Sequence, residues 1–95
     1  MEEIFYIVTY DIPDDRRRTR VAKILEDYGD RVQYSVFELL LDGPQRLASL
    51  RRRLLKTINP EADSVRIYFL CASCRPRAEI MGLGIPTENP HAYVV

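Results

Sequence analysis

Residues 4–15, IFYIVTYDIPDD, contain the pattern that decides the fold. The first part, residues 4–10, is a continuous run of β-branched and aromatic side chains, which is typical of a strand covered on both faces. The segment Asp11–Ile12–Pro13 ends this run, and Asp14 and Asp15 follow with oxygens that can cap a helix N-terminus. The stretch therefore predicts a buried strand, a short turn and the start of a helix.

Two helices are predicted from apolar side chains that recur every three to four residues. We expect Asp14 and Asp15 to cap the first helix, and Gly29 stands where a C-terminal glycine is usual. The second helix is expected to begin after the turn at residues 42–44, DGP, and to end at Asn59–Pro60. The apolar stripes are Val21, Ile24, Leu25 and Tyr28 in the first helix and Leu47, Leu50, Leu54 and Ile58 in the second.

The extended segments complete an α+β pattern. Residues 31–41, RVQYSVFELLL, form either one long strand or two short strands that turn near Tyr34–Ser35. Residues 65–71 form another strand, and residues 78–83 and 92–95 are weaker candidates for C-terminal edge strands. The element order predicts the ferredoxin-like β-α-β-β-α-β fold, in which both helices cover one face of an antiparallel sheet.

Size and composition indicate a single domain, residues 1–95, that pairs with a second copy of itself. A chain this short buries only about two-thirds of its unfolded surface, yet 46% of its residues are hydrophobic. The helix-free face of the sheet would display either Phe5 and Ile7 or Tyr6 and Val8, and both sets are apolar. Because a second chain would cover that face, we expect a homodimer.

Charge and hydropathy narrow the possible partners and location. The chain has 14 basic and 14 acidic residues, so binding to nucleic acid requires that basic side chains gather on one face. No apolar run approaches the roughly 20 residues of a membrane span, so we expect no membrane partner. The N-terminus lacks a signal-peptide pattern, and the few cysteines suit a reducing compartment. We therefore expect a soluble cytoplasmic protein.

The two cysteines, Cys71 and Cys74, form a C-x-x-C motif. A structural zinc site needs four ligands, which this motif does not supply. A thioredoxin-like redox pair would open a helix, whereas Arg75–Pro76 follows here. We interpret the pair as ordinary thiols at a strand end, with a redox or metal role as the alternative.

Asp11 is the candidate metal ligand, since it ends the buried strand where its side chain can emerge at a loop. Magnesium prefers oxygen ligands and retains water molecules, so one or two carboxylates suffice. A single aspartate is a weak site, but two copies of Asp11 across a two-fold axis would together favour a cation that polarises a phosphate. The alternative is that Asp11 only starts the turn.

Basic side chains on both predicted helices are candidate contacts to phosphate groups. In the first helix Arg16, Arg20 and Lys23 share one face, whereas Arg17 and Arg18 lie nearer the apolar stripe. The alternative is a solvated face that pairs with nearby acidic side chains. The remaining candidates are Arg31, which follows the first helix, and Arg51, Arg52, Arg53 and Lys56 in the second.

Three segments together resemble a known family. They are Tyr10–Asp11–Ile12, the arginine-rich start of the first helix, and residues 33–38, QYSVFE, after Arg31–Val32. In combination they resemble the small CRISPR-associated endoribonucleases or endonucleases that act beside the CRISPR integrase. The resemblance extends over nearly the whole chain in length and element order. The C-x-x-C motif followed by residues 75–77, RPR, departs from the family pattern.

The resemblance implies a ferredoxin-like homodimer, completed by C-terminal strands, that holds Mg²⁺ between two copies of Asp11. It implies phosphodiesterase activity on single-stranded RNA or double-stranded DNA in CRISPR antiviral defence and spacer acquisition. The alternative is a non-catalytic DNA-binding adaptor that bridges two integrase dimers. The residues that it marks are Asp11 as metal ligand and catalytic residue, Tyr10 and Phe37 as further catalytic residues, and Arg18, Arg20, Arg31 and Ser35 as substrate-binding residues.

Overall fold

The structure is a computed structural model that describes residues 3–71 and 73–82. Two helices and four strands follow one another in the predicted order β-α-β-β-α-β, which confirms the α+β, ferredoxin-like fold. The elements are β1 (Ile4–Asp11), α1 (Asp15–Glu26), β2 (Gly29–Gln33), β3 (Val36–Leu41), α2 (Pro44–Thr57), β4 (Ser64–Leu70) and a short 3-10 helix (Arg75–Arg77).

The four strands form one antiparallel sheet in the order β2-β3-β1-β4. Strand β1 is internal, with β3 and β4 as its neighbours. The segment 31–41 is not one strand, because the chain turns at Tyr34–Ser35 between β2 and β3. Of the two alternatives that the sequence left open, two short strands is therefore the correct one.

Strand register assigns each side chain of β1 to one face of the sheet, because successive residues of a strand alternate. Tyr6, Val8 and Tyr10 belong to the hydrophobic core between the sheet and the helices. Phe5 and Ile7 therefore point to the helix-free face, which selects the first of the two sets that the sequence left open. Their partners on that face are Leu40 and Leu70 opposite Phe5, and Glu38 and Tyr68 opposite Ile7.

The start of α1 agrees with the sequence, but its end does not. The Asp14 carboxylate accepts a hydrogen bond from the backbone N–H of Arg17, so Asp14 is the N-cap. The predicted cap at Gly29 is wrong, because α1 ends at Glu26 with Asp27 as its C-cap. Gly29 instead begins β2, where an added Cβ would lie 2.2 Å from the carbonyl oxygen of Glu38. Close approach of two strands, and not helix termination, requires glycine at this position.

Helix α2 begins at Pro44 and buries Leu50 and Leu54 against the core, as its apolar stripe predicts. Among the described residues no helix is both long and apolar enough to cross a membrane. In the predicted edge strand at 78–83, residues 78–82 contain only an isolated bridge at Ile80. The other predicted edge strand, residues 92–95, lies outside the described part of the chain.

Candidate functional site

Asp11 is exposed at the end of β1 and points to the helix-free face of the sheet. It lies opposite Ser64 of β4, and Thr9 lies opposite Arg66 on the same face. Carboxylate, hydroxyl and guanidinium groups therefore meet at one place, which suits a cation and an anionic ligand together. The recess there measures about 320 Å³ and is lined by Thr9, Tyr10, Asp11, Ser64, Arg66 and Tyr68.

One chain offers a single carboxylate to a metal ion at this recess. Within residues 3–71 and 73–82, no group of three His, Cys, Asp or Glu side chains is placed to bind one. Asp11 offers one carboxylate, and the Ser64 hydroxyl belongs to the strand beside it. These oxygens fit magnesium, which keeps several water ligands. Further oxygens would come from water, from a second chain or from a substrate.

Tyr10 lies on the opposite face of the sheet from Asp11. Its side chain is only 5% exposed, and its ring lies 6.3 Å from the Phe37 ring between centroids. Its hydroxyl donates a hydrogen bond of 3.3 Å to the carbonyl oxygen of Tyr34. Burial raises the pKa of Tyr10, although the nearby Arg31 guanidinium opposes this rise. Tyr10 therefore stays protonated and acts as a hydrogen-bond donor.

Phe37 and Ser35 both contact Tyr10 at the end of β1, Phe37 from the core and Ser35 from the β2–β3 turn. Phe37 is fully buried in the core, so it positions its neighbours and does not reach the surface. Ser35 is half-buried at the turn, where its carbonyl oxygen accepts a 3.1 Å hydrogen bond from the backbone N–H of Tyr10. This bond joins the β2–β3 turn to β1. Whether the Ser35 hydroxyl binds substrate stays a prediction.

Tyr34 is the main residue that the sequence analysis did not place in the site. Its ring is 68% exposed, and the guanidinium carbons of Arg31 and Arg18 lie 5.2 and 5.9 Å from the ring centroid. The Nε atom of Arg31 also donates a 3.0 Å hydrogen bond to the Tyr34 carbonyl oxygen. We call Tyr10, Arg18, Arg31 and Tyr34 the Tyr34 cluster. The sequence indicates a turn at Tyr34, but the exposure of its ring is known only from the structure.

The three predicted substrate arginines occupy two different places. Arg31 and Arg18 meet at Tyr34, and Nη1 of Arg18 donates a 2.9 Å hydrogen bond to the Ile12 carbonyl oxygen. Arg18 also pairs with Asp15, and this hydrogen bond raises the pKa of Arg18. Arg20 lies elsewhere, in a shallow recess on the outer face of α1. That recess is lined by Asp15, Arg16, Thr19, Arg20 and Lys23.

Arg17 anchors the loop that leads into β4. Its Nε and Nη2 atoms donate hydrogen bonds of 2.7 and 3.0 Å to the two carboxylate oxygens of Asp63. The Asp63 side chain is fully buried, and Arg17 holds the pKa of that carboxyl below its usual range. Because Ser64 follows directly, this bidentate pair fixes the strand that faces Asp11. The sequence analysis did not identify Asp63, which stands alone in a loop.

The two cysteines lie in a turn after β4. Their Sγ atoms are 3.1 Å apart, and the Cys71 Sγ lies 3.1 Å from the Ser73 hydroxyl. Hydrogen bonds from Ser73 and Cys74 lower the pKa of Cys71 to about 7, whereas the same contact with Cys71 raises that of Cys74. Both thiols are free. Their interpretation as ordinary strand-end thiols stays a prediction.

Comparison with known proteins identifies the family. The family model for CRISPR associated protein Cas2 matches residues 4–78. A Chloroflexus aurantiacus protein, CRISPR-associated endoribonuclease Cas2 3, is 45% identical over 98% of this chain and 99% of its own length. The crystal structure of Streptococcus pyogenes Cas2 has a TM-score of 0.71 and 35% identity, covering 84% of this chain and 99% of that one.

A chain of a partial Cas6-RT-Cas1–Cas2 complex is also similar in structure. Its TM-score is 0.64 at 33% identity, and the likeness covers 74% of this chain and 81% of that chain. The matched region, residues 4–78, includes β1 with Asp11, both helices and the β2–β3 turn with Tyr34. The chain belongs to the Cas2 family of CRISPR-associated proteins.

Proposed function

We propose that this protein is a magnesium-dependent phosphodiesterase that cleaves single-stranded RNA or double-stranded DNA in CRISPR antiviral defence and spacer acquisition. The observation that carries the proposal is the exposed Asp11 carboxylate beside a recess that also contains Ser64 and Arg66. The endoribonuclease activity in the names of the curated relatives supports it. The setting that we expect for this activity is the cytoplasm.

The active form is a homodimer in which the two copies of Asp11 face each other. Asp11 shares the helix-free face of the sheet with the half-buried Ile7 and the exposed Tyr68, and a second chain on that face would bring the two carboxylates together. The paired carboxylates would hold Mg²⁺. When bound, the ion supplies charge to a phosphate oxygen and lowers the pKa of a water molecule.

The chain's own residues bind and orient the substrate. Arg20 and Arg66 offer exposed guanidinium groups to phosphate oxygens. Arg18 binds the carbonyl oxygen of Ile12 and Arg31 binds that of Tyr34. Both bonds keep the end of β1 rigid, as the packing of Tyr10 on Phe37 does from the core side. Rigid placement of Asp11 matters because misplacement by about 1 Å costs roughly 100-fold in rate.

The Asp11→Asn substitution tests the proposal, since it removes the charge and keeps the shape. We expect metal-dependent cleavage of a labelled RNA or duplex DNA to fall by roughly 100-fold or more. Asp42→Asn is the matched control, because Asp42 is an exposed carboxylate that follows the end of β3. Full cleavage by Asp11→Asn, or a monomer in light scattering of the wild-type protein, would contradict the mechanism.

A second candidate function is a non-catalytic adaptor that holds duplex DNA while the Cas1 integrase performs the chemistry. The likeness to a chain of a complex that contains Cas1 supports this partner. Six exposed basic side chains also support it, and none of them forms an ion pair among the described residues. They are Arg16, Arg20 and Lys23 on α1 and Arg51, Arg52 and Lys56 on α2.

Opposite substitutions separate the two functions. Charge reversal at Arg16, Arg20 and Arg52 to Glu should weaken duplex binding and reduce its salt dependence, since fewer counterions are released. In a spacer-acquisition assay the adaptor function predicts loss in this triple variant and full activity in Asp11→Ala. Loss of acquisition in Asp11→Ala alone would show that the carboxylate is needed in the cell.

A further inference from the structure

We propose that Tyr34 is a stacking platform for one unpaired nucleobase of a single-stranded nucleic acid. This inference rests on the proposed nuclease function and names the residue by which the site would distinguish unpaired from paired substrate. It assigns a specificity role to a side chain that the sequence analysis did not place in the site. The ligand chemistry is the π-face of a base, which single-stranded RNA and single-stranded DNA share.

Exposure of the Tyr34 ring is the first observation. At 68% exposure, the ring cannot have both faces covered by the two guanidinium groups that lie beside it. A large aromatic side chain in water at a tight turn is unusual for a purely structural residue, because burying it would stabilise the fold. The open part of the ring is therefore available to a flat aromatic ligand.

Fixed placement of the ring is the second observation. The Tyr34 carbonyl oxygen accepts hydrogen bonds from the Tyr10 hydroxyl and from Arg31, so the backbone at the turn is held from two sides. Arg31 and Arg18 lie against the ring itself at 5.2 and 5.9 Å. A ring that is already ordered loses less entropy when a base stacks on it.

Both arginines of the Tyr34 cluster have hydrogen-bond partners within the protein. Nη1 and Nη2 of Arg18 are bonded to the Ile12 carbonyl oxygen and to Asp15, and Arg31 is bonded to the Tyr34 carbonyl oxygen. These guanidinium groups are thus largely occupied by the protein, and their positive charge attracts the strand while the ring receives the base. Within the Tyr34 cluster, the arginines position the platform.

The position of the platform connects it with Asp11. Tyr10 and Ile12 are the chain neighbours of Asp11, and both are linked to the Tyr34 cluster, by the Tyr10 hydroxyl and by the Arg18 bond to Ile12. Tyr34 therefore lies at the same end of β1 as Asp11, and a strand whose base is held on Tyr34 would pass that end. A paired base is stacked within its duplex and presents no free face, so a duplex would lose this contact.

The test measures binding in EDTA, so that cleavage does not affect it. The probe is a short single-stranded RNA with one 2-aminopurine, whose fluorescence falls when the base stacks, and the same strand in a duplex or made of DNA is compared. We expect Tyr34→Leu to weaken binding of both single strands by at least about fivefold and to abolish the quenching. Tyr34→Phe keeps the ring and should stay within about twofold of the wild type.

The exposed side chain of Leu55 provides the control. Leu55→Ala removes another exposed apolar side chain, 64% exposed on α2, and should change nothing. Equal weakening of single-stranded and duplex binding by Tyr34→Leu, or a change in oligomeric state, would overturn the platform. If Asp11→Asn keeps full cleavage but Tyr34→Leu still weakens single-strand binding selectively, the nuclease mechanism fails while the platform stands as a binding site.

Discussion

Two tyrosines in this protein each lie between two arginines, yet their surroundings differ completely. Tyr28 has the guanidinium carbons of Arg46 and Arg53 at 4.5 and 5.5 Å from its ring centroid, and Tyr34 has those of Arg31 and Arg18 at 5.2 and 5.9 Å. Tyr28 is 7% exposed, whereas Tyr34 is 68% exposed. Tyrosine and arginine thus form a buried contact between structural elements at Tyr28 and a solvent-exposed surface at Tyr34.

The buried contact connects the end of α1 to α2. The Tyr28 hydroxyl lies 2.9 Å from the Ser49 hydroxyl and receives a 3.4 Å hydrogen bond from Arg53. Arg53 also pairs with Asp27 at 3.0 Å, and Arg46 donates to the Asp27 carbonyl oxygen. We call Tyr28, Arg46, Ser49 and Arg53 the Tyr28 cluster. Its groups have their partners within the protein, so a tyrosine between arginines marks a binding site only where water reaches the ring.

The largest expected difference between the clusters is in stability. Tyr28→Ala leaves a cavity under two arginines and should lower the free energy of unfolding by about 3 kcal/mol. Tyr34→Ala removes an exposed ring and should change it by no more than about 0.5 kcal/mol. Urea unfolding followed by circular dichroism measures both. Equal losses would mean that Tyr34 is a structural residue, and the proposed platform would lose its basis.

A smaller change separates the ring of Tyr28 from its hydroxyl. Tyr28→Phe keeps the packing and removes the hydrogen bonds to Ser49 and Arg53, so the loss should be about 1 kcal/mol. The same urea experiment serves here. A loss as large as that of Tyr28→Ala would indicate that the hydroxyl, and not the buried ring, holds the two helices together.

Alkaline pH should affect the two clusters in opposite directions. Burial raises the pKa of Tyr10, so its contribution to stability is complete below the ordinary value of about 10 and is lost as pH rises through the higher folded pKa. For Tyr28, burial raises the pKa, but the hydrogen bonds from Ser49 and Arg53 and the charges of both arginines lower it overall. Its contribution is therefore present above about 10 and is lost as pH falls through the lower folded pKa.

Unfolding experiments between about pH 8 and 11 measure this contrast. Relative to the wild type, the Tyr28→Phe variant should become progressively less stable as pH rises, since the ionised tyrosine is the better partner for the arginines. The Tyr10→Phe variant should instead approach the wild type as pH rises. Parallel curves for the two variants would show that the environments of the tyrosines do not differ in this way.

The sequence predicts the fold well because β1 and the two apolar helix stripes are local patterns. Their spacing determines which side chains enter the core, as Val21, Leu50 and Leu54 do. Strand register needs contacts between distant segments, so the sequence left open whether Phe5 or Tyr6 faces the helices. Gly29 was misassigned for the same reason, since its close neighbour Glu38 belongs to another strand.

The candidate site was predicted only in part, because its members come from separate segments. Asp11 stands at the end of an obvious strand, and the register places it on the open face. Tyr34 and Asp63 gain their significance from arginines in α1 that lie 16 and 46 residues away along the chain. Nothing in the sequence distinguishes the exposed Tyr34 from the buried Tyr28, since both are tyrosines near a turn.

The smallest expected effect concerns the thiols of Cys71 and Cys74. It tests whether solvent exposure alone determines which of the two thiols reacts faster. Cys74 is the more exposed of the pair, but hydrogen bonds from Ser73 and Cys74 lower the pKa of Cys71 to about 7. Because the thiolate is the nucleophile, iodoacetamide should modify Cys71 first, at a rate that rises with pH, is half-maximal at a pH of about 7 and levels off above it. Ser73→Ala removes the stronger of these hydrogen bonds and should move the midpoint to higher pH without changing stability measurably.

Mass spectrometry of tryptic peptides identifies the modified cysteine. If Cys74 reacts first, solvent access outweighs hydrogen bonding at this turn, as it does for the two tyrosines.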